Sequence, residues 1–202
     1  GWSDTDKTLL ADLSKTEFVG YEKNETDAKV LAILVDDGSV ETVNEGECTV
    51  ILDKTPFYGE GGGQVGDSGL LQAPNTVLTV YDTKKSDGIY LHLCRVGNGS
   101  ISVGDTITAS IDAVRRQAIR RNHSCAHLLQ AALRAVLGTH VEQAGSYVDE
   151  ERVRFDFTHY AALTSEELQR VEDLVNAHIL IGNPITTVET DVESAKKMGA
   201  MA

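Results

Sequence analysis

The chain has 202 residues, of which 41% are hydrophobic and 24% charged, the balance of a folded protein and not of a disordered one. Its formal net charge of -13 excludes a general electrostatic nucleic-acid binder, because phosphate contacts need basic side chains. Any contact with RNA is therefore expected to be local, or to come from other parts of a larger protein. No long apolar run and no basic leader is present, so neither a membrane span nor a signal peptide is expected. Cys48, Cys94 and Cys125 are far apart and odd in number, which points to a reducing, cytoplasmic setting and not to a disulfide framework.

Residues 1–16 read as a lead-in with a short helix around 7–14. Strand signals follow at 28–35, 48–52, 77–81, 89–94 and 106–111, with Asp37-Gly38 as a hairpin turn. Short strands at this spacing suggest a small antiparallel barrel. The pattern changes near Asp112. Residues 113–137 read as one helix, with Ala118, Cys125, Leu129, Ala132 and Val136 as its apolar stripe and Gly138 as its stop. Strands are expected at 146–148 and 153–157. Thr164-Ser165-Glu166-Glu167 has the form of a capping box and opens a helix to about 181, with Leu168, Val171, Leu174 and Val175 on its buried side. A strand at 185–188 and a helix from 192 complete the reading. The expected class is α+β: a lead-in over 1–16, a β-barrel subdomain over 17–112, and an incomplete α/β subdomain over 113–202 in which the long helix packs on a sheet. The chain begins with Gly1 and ends on the apolar run Met198-Gly199-Ala200-Met201-Ala202, so it is expected to be a piece of a longer protein.

Two motifs suggest chemistry. His123 and His127 lie one helical turn apart, so both rings leave one face and suit a shared zinc ion. Ser124 stands where a zinc protease would have its glutamate, which excludes that reaction. The competing reading is two ordinary histidines on a polar face with Arg116, Arg120, Gln130 and Arg134. Two histidines rarely complete a zinc site, since a catalytic zinc usually has three protein ligands and one open position; His140, His159, His178, Cys48 and Cys94 remain open as further ligands without compelling local spacing. The second motif is Thr55-Pro56-Phe57-Tyr58-Gly59-Glu60-Gly61-Gly62-Gly63-Gln64. Its adjacent glycines permit close backbone approach or an anion-binding nest, or simply a tight turn in a barrel. It has neither P-loop nor dinucleotide-binding spacing. Arg115, Arg116, Arg120 and Arg121 form a basic cluster that suits phosphate, or solvent with local acidic partners; Arg152 and Arg154 are a weaker RNA-facing pair.

These motifs, together with Phe18-Val19-Gly20-Tyr21, His140-Val141-Glu142-Gln143-Ala144-Gly145-Ser146 and residues 152–159, resemble the editing region of bacterial-type alanyl-tRNA synthetases and their free-standing relatives. The resemblance covers nearly all of residues 17–202. It implies a small barrel followed by an α/β lobe that hydrolyses serine or glycine from the misacylated 3′ end of alanine tRNA. It also implies His123 and His127 as zinc ligands, Gln64 on a loop near the cleft, and Thr55 as reader of the serine hydroxyl. Gly61, Gly62, Gly63, Arg116, Arg120 and Arg154 are the implied substrate or RNA contacts. The family pattern continues to a Cys-x-x-x-His that is absent here, so zinc is expected to be weak or missing and the isolated piece weakly active. ATP and magnesium belong to the aminoacylation part of such a ligase. The other readings are a free-standing editing hydrolase and a noncatalytic RNA-binding module. Oligomeric state is not legible in the sequence.

Overall fold

The computed structural model describes residues 4–36, 38–182 and 191–197. It divides into two compact units, Gly1–Arg116 and Gln117–Ala202. In chain order the first carries α1 (Asp4–Ala11), β1 (Glu17–Phe18), β2 (Glu25–Val35), β3 (Gly38–Val40), β4 (Thr42–Val43), β5 (Glu47–Leu52), β6 (Lys54–Thr55), β7 (Gly69–Ala73), β8 (Thr76–Ser86), β9 (Ile89–Asn98), β10 (Ile101–Ser102) and β11 (Thr106–Ile111). The helix α2 (Ala113–Leu137) begins in the first unit and continues into the second, where β12 (Gln143–Val148), β13 (Val153–Phe157), α3 (Ser165–Ile181) and α4 (Val192–Lys197) follow.

The first unit is a closed antiparallel barrel with strand order β11-β7-β8-β9-β5-β2, sealed by pairing of β2 with β11. The strands that read as unbroken apolar runs are those covered on both faces. Val30, Ile33, Val50, Leu52 and Cys94 fill the interior with Leu71, Leu78, Val80 and Ile107. On the outside Ala32, Leu34, Ile51, Ile89 and Leu91 pack under Leu9, Leu10 and Leu13. Burial on both faces removes the polar alternation that a half-exposed strand would show. Strand β8, by contrast, keeps it over Val77–Tyr81, with Leu78 and Val80 buried and Thr79 and Tyr81 exposed. A bulge between Val30 and Ala32 lets β2 switch the facing of its residues: Ala28 and Val30 point inward before it, Ile33 after it.

The second unit packs the later turns of α2 against the β12–β13 hairpin and α3. Ala132, Leu133, Val141 and Val171 are its buried centre, with Leu129, Val136, Phe155, Phe157 and Val175 around them. The expected α+β class, barrel followed by a helix-on-sheet lobe, is what the molecule has.

The expected helix at 113–137 matches α2, and the capping box is complete: Glu167 N–H donates to Thr164 Oγ1, and Thr164 N–H to Glu167. Several side-chain expectations need correction. Cys125 is only half-buried, while Ile119 and Ala126 are the buried residues of that stretch. On α3, Val171 is buried and Val175 half-buried, but Leu168 and Leu174 are exposed, because the helix meets the core along a narrow stripe. The short strands β1, β3, β4, β6, β7 and β10 escape a periodicity reading, since a few residues define no period. The strand expected at 185–188 lies outside the described residues.

Candidate functional site

The glycine-rich loop grows from β6, which pairs in parallel with β1. Its base is tied by Asp67: Tyr58 N–H donates to Asp67 Oδ2 at 2.8 Å, and Asp67 N–H returns a bond to Tyr58 O at 2.9 Å. Thr83 Oγ1 donates to Asp67 O, and Glu60 N–H to Thr83 O, fastening the loop to β8. At the tip Gly61 and Gln64 exchange backbone hydrogen bonds of 3.1 and 2.9 Å. Between them Gly62 and Gly63 hold φ of 57° and 81°, the pair of positive angles that defines a type I′ turn. The glycine run is thus an ordered two-residue hairpin tip, and Gln64 beside it is buried. Tyr58 OH also donates to Gly61 O at 3.1 Å.

Thr55 is enclosed. Its residue is fully buried, and its hydroxyl lies 2.7 Å from His92 Nε2. The His92 Nδ1–H donates to Val50 O at 2.8 Å. That assignment leaves Nε2 as acceptor, so Thr55 Oγ1–H is the donor to it. Phe57 N–H then donates to Thr55 Oγ1 at 3.1 Å. The hydroxyl expected to read a serine thus donates one hydrogen bond and accepts another within this enclosure. The chemistry of His92 agrees with its place: burial holds its pKa down, at about 4, and the ring is neutral.

Arg116 lies inside the first unit. It was expected in a basic cluster that meets phosphate or solvent, but it is buried and most of its donors are committed. Nε donates to Asp67 Oδ2 at 2.9 Å, Nη1 to Gly20 O at 2.7 Å and Nη2 to Pro56 O at 2.7 Å, with a further close contact from Nη2 to Asp67 Oδ2. The guanidinium therefore fastens the loop base from inside, with four of its five N–H donors used there. The Asp112 side chain caps the start of the same helix by accepting from Arg115 N–H. Arg120 and Arg121 are exposed.

In the second unit His123 and His127 stand side by side on α2, with ring centroids 4.9 Å apart. His123 is half-buried, and desolvation, followed by the neighbouring His127, lowers its pKa. A neutral imidazole is the metal-binding form, so the pair fits as two ligands of one ion. Among the described residues no third His, Cys, Asp or Glu completes such a group. Cys48 and Cys94 are corrected as ligand candidates: they are cross-strand neighbours inside the barrel, where burial pushes the Cys48 thiol up to about 11 and Cys94 higher than its ordinary value. A thiol held protonated is a poor ligand. Arg154 is exposed and pairs with Asp156 at 3.2 Å, and Arg152 lies over the Tyr147 ring at 5.8 Å.

Asp67 and His92 were not anticipated. A histidine inside the apolar run 89–94 was the available signal, since a buried polar ring must find partners. Nothing local announces Asp67, whose partner Arg116 is 49 residues away.

A family model described as tRNA synthetases class II (A) matches residues 2–115. The chain belongs to that family. The matched span ends one residue before the division between the two units at Arg116. Similarity to individual members of the family runs through both units. An alanine–tRNA ligase of Acetivibrio thermocellus is 48% identical over 203 aligned residues, covering 100% of this chain and 23% of the relative. Alanine–tRNA ligases of Pseudomonas fluorescens and Hydrogenovibrio crunogenus are each 50% identical over 188 residues, covering 93% of the chain and 22% of the relatives. The chain thus spans less than a quarter of the length of these relatives. None of its described helices is long and apolar enough to cross a membrane.

Proposed function

We propose that the chain is the editing region of an alanine–tRNA ligase and hydrolyses the ester that joins serine or glycine to the terminal adenosine of alanine tRNA. The observation that carries this reading is the similarity to alanine–tRNA ligases across both units, at 48% identity over the whole chain. It is supported by the paired imidazoles of His123 and His127 on one helix face. Attachment of alanine, with its ATP and magnesium, is assigned to other parts of the ligase.

His123 and His127 would hold zinc, with the two remaining ligands supplied by a Cys-x-x-x-His farther along the ligase. Where one of those four ligands gave way to substrate or water, the zinc would polarise a carbonyl or a water. The amides of Gly62 and Gly63 at the tip of the turn offer donors to an oxygen on which charge develops during ester cleavage. Gln64 positions water or the terminal ribose and is no general base, since an amide does not take up a proton at neutral pH. Because Thr55 Oγ1 is committed to His92 and Phe57, we assign Thr55 a positioning role, exerted through the segment that leads into the loop.

The test compares this chain with one extended through the downstream Cys-x-x-x-His, under the same reducing conditions. Zinc content and hydrolysis of seryl- and glycyl-tRNA(Ala) are measured for both. The extended chain is expected to hold close to one zinc and to hydrolyse both esters; the 202-residue chain is expected to do each weakly. An extended chain that hydrolyses neither ester overturns the reading. In the extended chain Thr55→Ala is expected to slow serine and glycine removal alike. A loss confined to serine would restore direct hydroxyl recognition.

A further inference from the structure

Away from the His123–His127 pair, a second group of rings stands on the surface of the second unit. His140, in the turn after α2, and His159, just after β13, are joined Nε2 to Nδ1 at 2.8 Å. Their centroids are 5.0 Å apart with planes inclined by 24°. Nitrogens this close with centroids this far apart mean that the imidazoles meet edge to edge and share one proton. Tyr160 contacts both rings, 4.4 Å from His159 and 5.3 Å from His140 by centroid. It is nevertheless 85% exposed.

The group is ordered from several sides. A Cβ at Gly138 would come within 2.9 Å of His140 Nδ1, so the turn lies directly against that ring. Arg134 Nη2 donates to Thr139 O at 3.0 Å, fixing the residue before His140. Glu142 and Thr158 pair through their backbones beside it. The imidazoles are placed by these contacts, and the Tyr160 ring lies against them with most of its surface open to water. Holding an exposed ring still reduces the entropy lost when a ligand stacks on it.

The geometry argues against a metal here. The two nitrogens point at each other across a shared proton, whereas chelation needs both lone pairs aimed at a third point. No third metal-binding side chain joins them among the described residues.

We infer that Tyr160, backed by the His140–His159 pair, is a stacking platform for an unpaired base of single-stranded RNA. The inference rests on the reading that this chain handles tRNA. Aromatic side chains that stack on splayed bases are the usual means of gripping unpaired RNA. Stacking also suits a chain of net charge -13, because a π-face attracts a base without relying on phosphate neutralisation.

The experiment measures binding of a short fluorescein-labelled oligoadenylate to the chain and its variants. Tyr160→Ala is expected to weaken binding about 5- to 150-fold, the range of one base–aromatic stack. Tyr160→Phe keeps the ring and is expected to bind like the parent. His159→Ala, which frees the tyrosine, is expected to fall between. Upfield shifts of the Tyr160 ring protons on titration would report the stack itself. Parent-like binding by Tyr160→Ala overturns the inference, as does equal loss in the Phe and Ala variants. Failure of the parent chain to bind the oligonucleotide also overturns it, even where the extended ligase hydrolyses its esters. Tyr160-dependent binding by a ligase that hydrolyses neither ester leaves the platform standing and removes the editing reading.

Discussion

At the scale of single residues, His92 couples the barrel to pH. Its ring is neutral in the folded state because burial holds its pKa at about 4, whereas an unfolded histidine titrates near ~6.5. Between these values the unfolded chain takes up a proton that the folded chain refuses. Stability from this group is therefore complete above about pH 6.5 and is lost as pH falls towards 4, by about 3 kcal/mol in all. His92→Asn should flatten that part of the profile. Denaturant melts of both proteins at a series of pH values would read the difference, and parallel profiles would refute it. Arg116 offers a second test. Removing one partner of a buried ion pair strands the other, at a cost of about 3–5 kcal/mol. Arg116→Ala should therefore destabilise the first unit strongly through Asp67, whereas Arg120→Ala, at an exposed position, should change stability little. Thermal melts of the two variants separate these cases.

At the scale of elements, the sequence was most readable where a pattern repeats. The long helix shows its stripe over many turns, and the capping box of α3 is a local code in four residues. The apolar runs of β2, β5 and β9 marked strands but not what covers their outer faces, which depends on Leu9, Leu10 and Leu13 far back in the chain. The candidate site was legible in its residue types and less so in their roles. Counting around the helix set Arg116 with Arg120 and the histidines, because helical spacing knows nothing of an aspartate 49 residues earlier. Thr55 looked available for the same reason: its partner His92 lies 37 residues later on β9, not along the same strand. The glycine turn was open between nest and tight turn, and the reciprocal Gly61–Gln64 bonds identify the turn. Gly62 has space for a Cβ, so any penalty there is conformational. Gly62→Ala should cost about 1 kcal/mol for its left-handed backbone, and Gly62→Asn less. Chemical denaturation of the pair checks the order.

At the scale of the whole molecule, the family model and the ligase relatives describe different amounts of chain. The model stops at residue 115, within the first unit, while the ligases continue through the second. The editing proposal therefore depends most on the second unit, where the paired histidines and the ring group around Tyr160 both lie. In the first unit the barrel closes on itself through β2 and β11, and closure fixes how many residues each strand can carry. The bulge in β2 changes that arithmetic. Leu31 is the extra residue between Val30, opposite Leu52, and Ala32, opposite Ile51. A chain shortened by that one residue would still alternate correctly on both sides of the gap, with Val30 and Ile33 inward and Ala32 outward. The same loss at Thr108, where β11 pairs without interruption on both edges, would turn Ala109 and Ile111 away from the interior. Deletion of Leu31 should leave a folded barrel and deletion of Thr108 should not, as circular dichroism and proteolysis would show. The bulge is thus a place where the gene can lose a codon without losing the fold.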